Sequence, residues 1–208
     1  METHKLKSAL ESILKGNAVN QLAKILTYAL KTGRISYEEA EHILDGDPED
    51  ALLLAFQQRL LIPVRSVKDT LEWDHSVLLL EPGENYKMPN IVRYLVEEAA
   101  RTSHWNAEYA VAQIFREMGE PSWNTMPALV KKLGEEASYN RLDAVQIKQV
   151  CNQFGLGDRV DSLISGLKGA GVMSPKLSSI VEVQRAGSPI YELNPSIFMS
   201  TSGNATST

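Results

Sequence analysis

Seven side chains in the last third of the chain carry groups suited to a polyanion. Arg159, Ser162, Ser165 and Lys168 recur every third residue and take outward positions of a predicted helix. An Arg guanidinium there can contact guanine in bidentate fashion, and a Ser hydroxyl can bond a base or a phosphate. Lys148 and Lys176 flank that helix in sequence and offer phosphate contacts. Arg185 opens the turn sequence Arg185-Ala-Gly-Ser-Pro189, which would carry its charge to a hairpin tip, within reach of a phosphate or a minor groove. Against this set, Asp158 and Asp161 stand at the helix start, where a phosphate would lie close by. The alternative reading of the seven is a solvated charged surface.

A second charged set has the opposite sign. Glu38, Glu39, Glu41, Asp45, Asp47, Glu49 and Asp50 follow Ser36 with no Lys or Arg among them. Seven carboxylates repel a phosphate backbone. They suit docking of a basic protein, with Glu38, Glu39 and Glu41 as the candidates, or they reflect the preference of acids for helix N-termini. Their charge also argues against Gln57, Gln58 and Arg59 as base readers.

Catalytic chemistry finds little support. His4, His42, His75 and His104 are far apart, and no paired His/Cys spacing suggests a metal. Cys151 falls on the apolar face of its helix and reads as a buried structural thiol. Gly155-Leu-Gly157 and Gly169-Ala-Gly171 lack the three-glycine dinucleotide spacing, and no phosphate loop is present. Pairs such as Glu97-Glu98 and Glu135-Glu136 read as solvated helix faces. Neither an enzyme nor a cofactor is expected.

The elements that hold these residues follow from periodicity and caps. Leu22, Ile25, Leu26 and Ala29 form one apolar stripe in a helix over 18–32, stopped by Gly33. Ser36 and Glu39 have the spacing of a capping box for a second helix. Asp47-Pro48 opens a third, running through Leu60. Leu61–Arg65, Val77–Glu81 and Tyr86–Met88 read as short strands, with Ser66–Ser76 a further strand or loop. Three helices follow, the first capped by Asn90. The second carries Ala107, Ala110, Val111, Ile114, Phe115 and Met118. The third carries Met126, Leu129, Val130 and Leu133 and can open the next module. Ile147, Val150, Cys151 and Phe154 mark one more helix. Val160, Leu163, Ile164 and Leu167 mark the last, capped by Asp158. Val172–Ser174, Ile180–Gln184 and Ile190–Leu193 read as strands.

Two helices, a tight turn and a hairpin, in the order seen from Leu142 to Leu193, resemble the winged helix-turn-helix superfamily. A looser version spans Ala18 to Met88. The resemblance lies in the order of elements, without a diagnostic motif. It implies a mainly α fold with small β-hairpin wings, as tandem winged-helix modules joined by a helical middle segment. The divisions are an N-terminal module over 1–89, a helical connector over 90–122, a C-terminal module over 123–199 and a disordered tail over 200–208. In such a fold the second helix of the turn enters the major groove.

Charge assigns the modules different work. The protein has 208 residues and a net charge of -5. Residues 1–89 carry 10 basic and 14 acidic groups, residues 90–138 carry 5 and 7, and residues 139–208 carry 6 and 5. Only the last segment lacks an acidic excess, so contact with duplex DNA is expected there. The first expectation is thus a DNA-binding, transcription-regulator-like protein that reads with its C-terminal module. The second is a protein-interaction scaffold that docks partners on an acidic N-terminal surface. One cysteine, an opening METHKLKSAL without a long apolar run, and no bilayer-length apolar stretch predict a cytoplasmic chain without a membrane partner. A homodimer is the base-rate expectation.

Overall fold

In the computed structural model, which describes residues 2–65, 72–176 and 188–199, one order of elements occurs twice. Helix α1 (Glu2–Glu11) precedes the first unit. That unit runs α2 (Val19–Thr32), β1 (Arg34–Ser36), α3 (Tyr37–Leu44), α4 (Glu49–Gln57), β2 (Ile62–Pro63) and β3 (Asn85–Lys87). Helices α5 (Asn90–Thr102) and α6 (Ala107–Glu117) follow. The second unit runs α7 (Met126–Glu136), β4 (Arg141–Asp143), α8 (Ala144–Gln153), α9 (Val160–Ala170), β5 (Met173–Lys176) and β6 (Ile190–Leu193). Each set of strands forms an antiparallel sheet with its last strand central, β1-β3-β2 and β4-β6-β5. The protein is therefore mainly helical with two small three-stranded sheets.

Local chemistry explains most of the helix boundaries. On α2, Leu22, Ile25, Leu26 and Ala29 are fully buried, and Gly33 ends the helix in the left-handed region at φ 74°. On α3, Ser36 accepts the Glu39 backbone N–H while the Glu39 carboxylate accepts that of Ser36, completing the expected capping box. Asp143 and Gln146 build the same box on α8, at the equivalent place in the second unit. Both boxes directly follow the first strand of their sheet. This fixes the angle at which strand passes into helix.

Several expected boundaries shift. The first helix, α1, and the strands β1 and β4 went unpredicted, and Val77–Glu81 is not a strand. Helix α4 ends at Gln57, short of Leu60, because Arg59 takes a left-handed φ of 53°. Pro48 stands at its N-cap position, while Asp47 Oδ1 accepts the Glu49 N–H at 2.8 Å. Asn90 lies inside α5 and bonds Gly169 O at 3.2 Å rather than capping its own helix. Asp158 does not cap α9, since a 3-10 turn over Gly157–Arg159 intervenes. The strand expected at Ile180–Gln184, the hairpin tip at Arg185, Leu71 and the tail over 200–208 lie outside the described residues.

A single cluster of buried side chains runs from Leu6 on α1 to Ile197 after β6, so the two units share a core. Helix α5 packs against α1, α2 and α6, and α9 rests on both α5 and α6. Small residues permit that last approach. A Cβ on Gly166 would stand 3.4 Å from the Phe115 ring, and one on Gly171, at φ 78°, would stand 3.0 Å from Pro89 Cβ. The C-terminal segment folds back on α7. A Cβ on Gly134 would stand 2.3 Å from Phe198 Cε1, so the ring occupies the notch that the missing side chain leaves. Among the described residues no helix is long and apolar enough to cross a membrane.

Candidate functional site

Of the predicted anion-contacting set, Ser162, Ser165 and Lys168 lie on α9, and the structure separates the other described members from them. Arg159 donates from Nη1 and Nη2 to the two Glu120 carboxylate oxygens at 2.9 and 2.8 Å. Glu120 also accepts the Ser122 N–H at 2.9 Å. Burial raises the Glu120 carboxyl, but the Arg159 hydrogen bond, the Ser122 N–H and the Arg159 charge outweigh it, and the net shift is downward. The guanidinium is thus held by the loop after α6. Ser162, Ser165 and Lys168 remain exposed along α9, as do Asp158 and Asp161, and Lys148 is exposed on α8. The start of α9 and the 3-10 turn before it therefore show two exposed carboxylates, Asp161 and Asp158, while the nearest cation, Arg159, is already paired. Arg185 lies outside the described residues.

Lys176 belongs to a different place, the seam between the two units. Its Nζ lies 2.8 Å from Asp74 Oδ1 and 3.9 Å from Glu192 Oε2. Arg59, at the end of α4, donates from Nε and Nη2 to Glu192 Oε1 at 3.3 and 3.0 Å. Its guanidinium also lies over the Phe56 and Trp73 rings, at 4.7 and 5.7 Å from their centroids. Trp73 N–H donates to Ser174 Oγ at 3.1 Å. Fully buried Asn194 donates to Arg59 O at 3.3 Å and to Gly171 O at 3.2 Å, and accepts from Ser196 N and Oγ at 3.0 and 2.7 Å. Alternating charges and an amide hub thus bind the end of α4 to β5 and β6. Sequence reasoning missed Asp74, Glu192 and Asn194 because no local pattern marks residues whose partners lie so far along the chain.

All seven members of the acidic set are exposed. Glu38, Glu39 and Glu41 are exposed on α3, Asp45 and Asp47 on its connection to α4, and Glu49 and Asp50 on the first turn of α4. Two of the three docking candidates also have structural bonds. Glu38 Oε1 accepts Gly83 N–H at 2.6 Å, and Glu39 accepts Ser36 N–H and Tyr28 Oη–H at 2.8 and 2.7 Å. Those bonds stabilise the ionised form. The Glu38 carboxyl is lowered by its own backbone N–H and then by Gly83, and that of Glu39 by Ser36 and then by Tyr28. Glu41 is held by no such bond among the described residues. None of the seven carboxylates lies in an ion pair among the described residues. Beside them on α4, Leu53 is 38% exposed.

Cys151 is buried in the core, and burial pushes its thiol up, away from the reactive thiolate. Among the described residues no group of three His, Cys, Asp or Glu side chains could hold a metal ion. No curated protein and no solved structure matches the chain. A protein-family model does match residues 5–202, nearly its whole length, and the protein belongs to that family.

Proposed function

We propose that this is a tandem winged-helix protein that serves as a docking scaffold, with the acidic surface of its first unit engaging a basic protein segment. The repeated element order and the central last strand of each sheet support the winged-helix reading. In that fold α4 and α9 occupy the position of the helix offered to a partner. The observation that carries the docking role is the outer surface of α4. It offers Glu49, Asp50, exposed Leu53 and Gln57, with no Lys or Arg between Ser36 and Gln57. Such a face repels phosphate and suits a segment with both Lys or Arg and an apolar side chain. By contrast, α9 rests on α5 and α6, and its Arg159 is committed to Glu120.

Affinity capture from extract with the whole protein tests this. The triple variant Glu41→Gln, Glu49→Gln, Asp50→Asn removes three charges without touching the capping box. A basic partner eluted by salt from the parent protein should bind the variant about tenfold more weakly, at roughly 0.5 kcal/mol per exposed charge. Equal recovery of every partner by both proteins would overturn the reading.

DNA contact by the second unit is the other reading. It is favoured by Lys148 and Lys168, both exposed and outside any ion pair among the described residues. A duplex shift at low salt, lost on Lys148→Ala and Lys168→Ala, would support it; absence of a shift at low salt removes it.

A further inference from the structure

A cleft at the seam of the two units has a chemistry that the docking reading does not use. Its apolar wall comes from Ile62, Val64 and Trp73, and its lining also includes Lys87, Asn90 and Lys168. Val64 is 53% exposed there. Among the described residues no Asp or Glu lines the cleft, although the protein carries a net charge of -5. Neither lysine is in an ion pair among the described residues. On the sheet Lys87 on β3 stands between Arg34 on β1 and Ile62 on β2, and Arg34 itself lies outside the cleft lining. The cleft, about 160 Å³, has room for one ring.

We propose that this cleft binds a small aromatic anion, a phosphate or carboxylate on a single ring. The ring lies on Ile62, Val64 and the edge of Trp73, and the charge lies between Lys87 and Lys168. Because one lysine comes from each unit, the ligand bridges the seam. The site is separate from the acidic surface of α3 and α4, so it stands or falls independently of the docking reading.

Three probes, titrated into the whole protein and followed by amide NMR shifts, separate the two parts of the site. Phenyl phosphate carries ring and charge, inorganic phosphate the charge alone, and benzyl alcohol the ring alone. Phenyl phosphate should move the Val64, Lys87, Asn90 and Gly169 signals and bind about tenfold more tightly than either simpler probe. Lys87→Gln and Lys168→Gln should each weaken it about three- to fivefold, and Lys148→Gln should leave it unchanged. The proposal is overturned if inorganic phosphate binds as tightly at the same signals, if neither lysine variant weakens binding, or if the shifts centre elsewhere.

Discussion

Breaking the contact between Arg59 and Glu192 tests whether the two units unfold as one body. Arg59 gives Glu192 two hydrogen bonds from side chains that are only 15% and 18% exposed. A charge-assisted bond of this kind lies between a surface pair, worth about 0–1 kcal/mol, and a sheltered one, worth about 1.5–3 kcal/mol. A double-mutant cycle with Arg59→Ala and Glu192→Ala should therefore show a coupling of about 1.5–2 kcal/mol. Arg59→Ala alone should cost about 3 kcal/mol, because it also removes the guanidinium from the faces of Phe56 and Trp73. Arg59→Gly should cost about 1 kcal/mol less than Arg59→Ala, since Arg59 sits at φ 53° and glycine adopts that conformation freely. The assay is urea unfolding followed by both tryptophan fluorescence and far-UV circular dichroism. Trp73 reports on the seam itself. Coincident transitions with a single midpoint are expected for the parent protein. A coupling below about 0.5 kcal/mol, or two separate transitions in the parent protein, would refute the reasoning.

Two further perturbations follow from the same geometry. The folded Glu120 carboxyl is depressed below its ordinary value, so its contribution is complete above that value and is lost as pH falls through the folded value. Arg159→Met should thus cost about 1–2 kcal/mol at pH 7, discounted because Arg159 is 35% exposed, and the deficit should shrink as pH falls below the ordinary carboxyl range; urea midpoints from neutral to acid pH check this, and a deficit constant across that range contradicts it. Asn194→Ala strips the partners from two carbonyls and from Ser196, and should cost about 3 kcal/mol by thermal or urea unfolding. A loss below about 1 kcal/mol would mean that water takes over those bonds.

The helices were legible because their signals are local. The stripe from Leu22 to Ala29, the Ser36–Glu39 box and the stripe from Val160 to Leu167 each lie within a few turns of one helix. Periodicity and capping act over that range. The strands β1 and β4 were not legible. Each is three residues long, too short for alternation to show, and each exists because a distant strand pairs with it. The candidate contact residues divided in the same way. Ser162, Ser165, Lys148 and Lys168 are exposed, as their helix positions implied. Arg159 and Lys176 have acidic partners that no spacing reveals.

The amino-acid sequence by itself determined most of the helices, their apolar faces, and that the first unit is rich in acids from Glu38 to Asp50. These depend on neighbours three or four residues away. Only the tertiary structure decided which charges stay free. Glu120 reached Arg159, Asp74 and Glu192 reached Lys176, and Glu192 reached Arg59, while Lys87 and Lys168 were left around a cleft with no acid among its described lining residues. The physical reason is that Coulomb energy depends on separation and burial in space, and packing sets both.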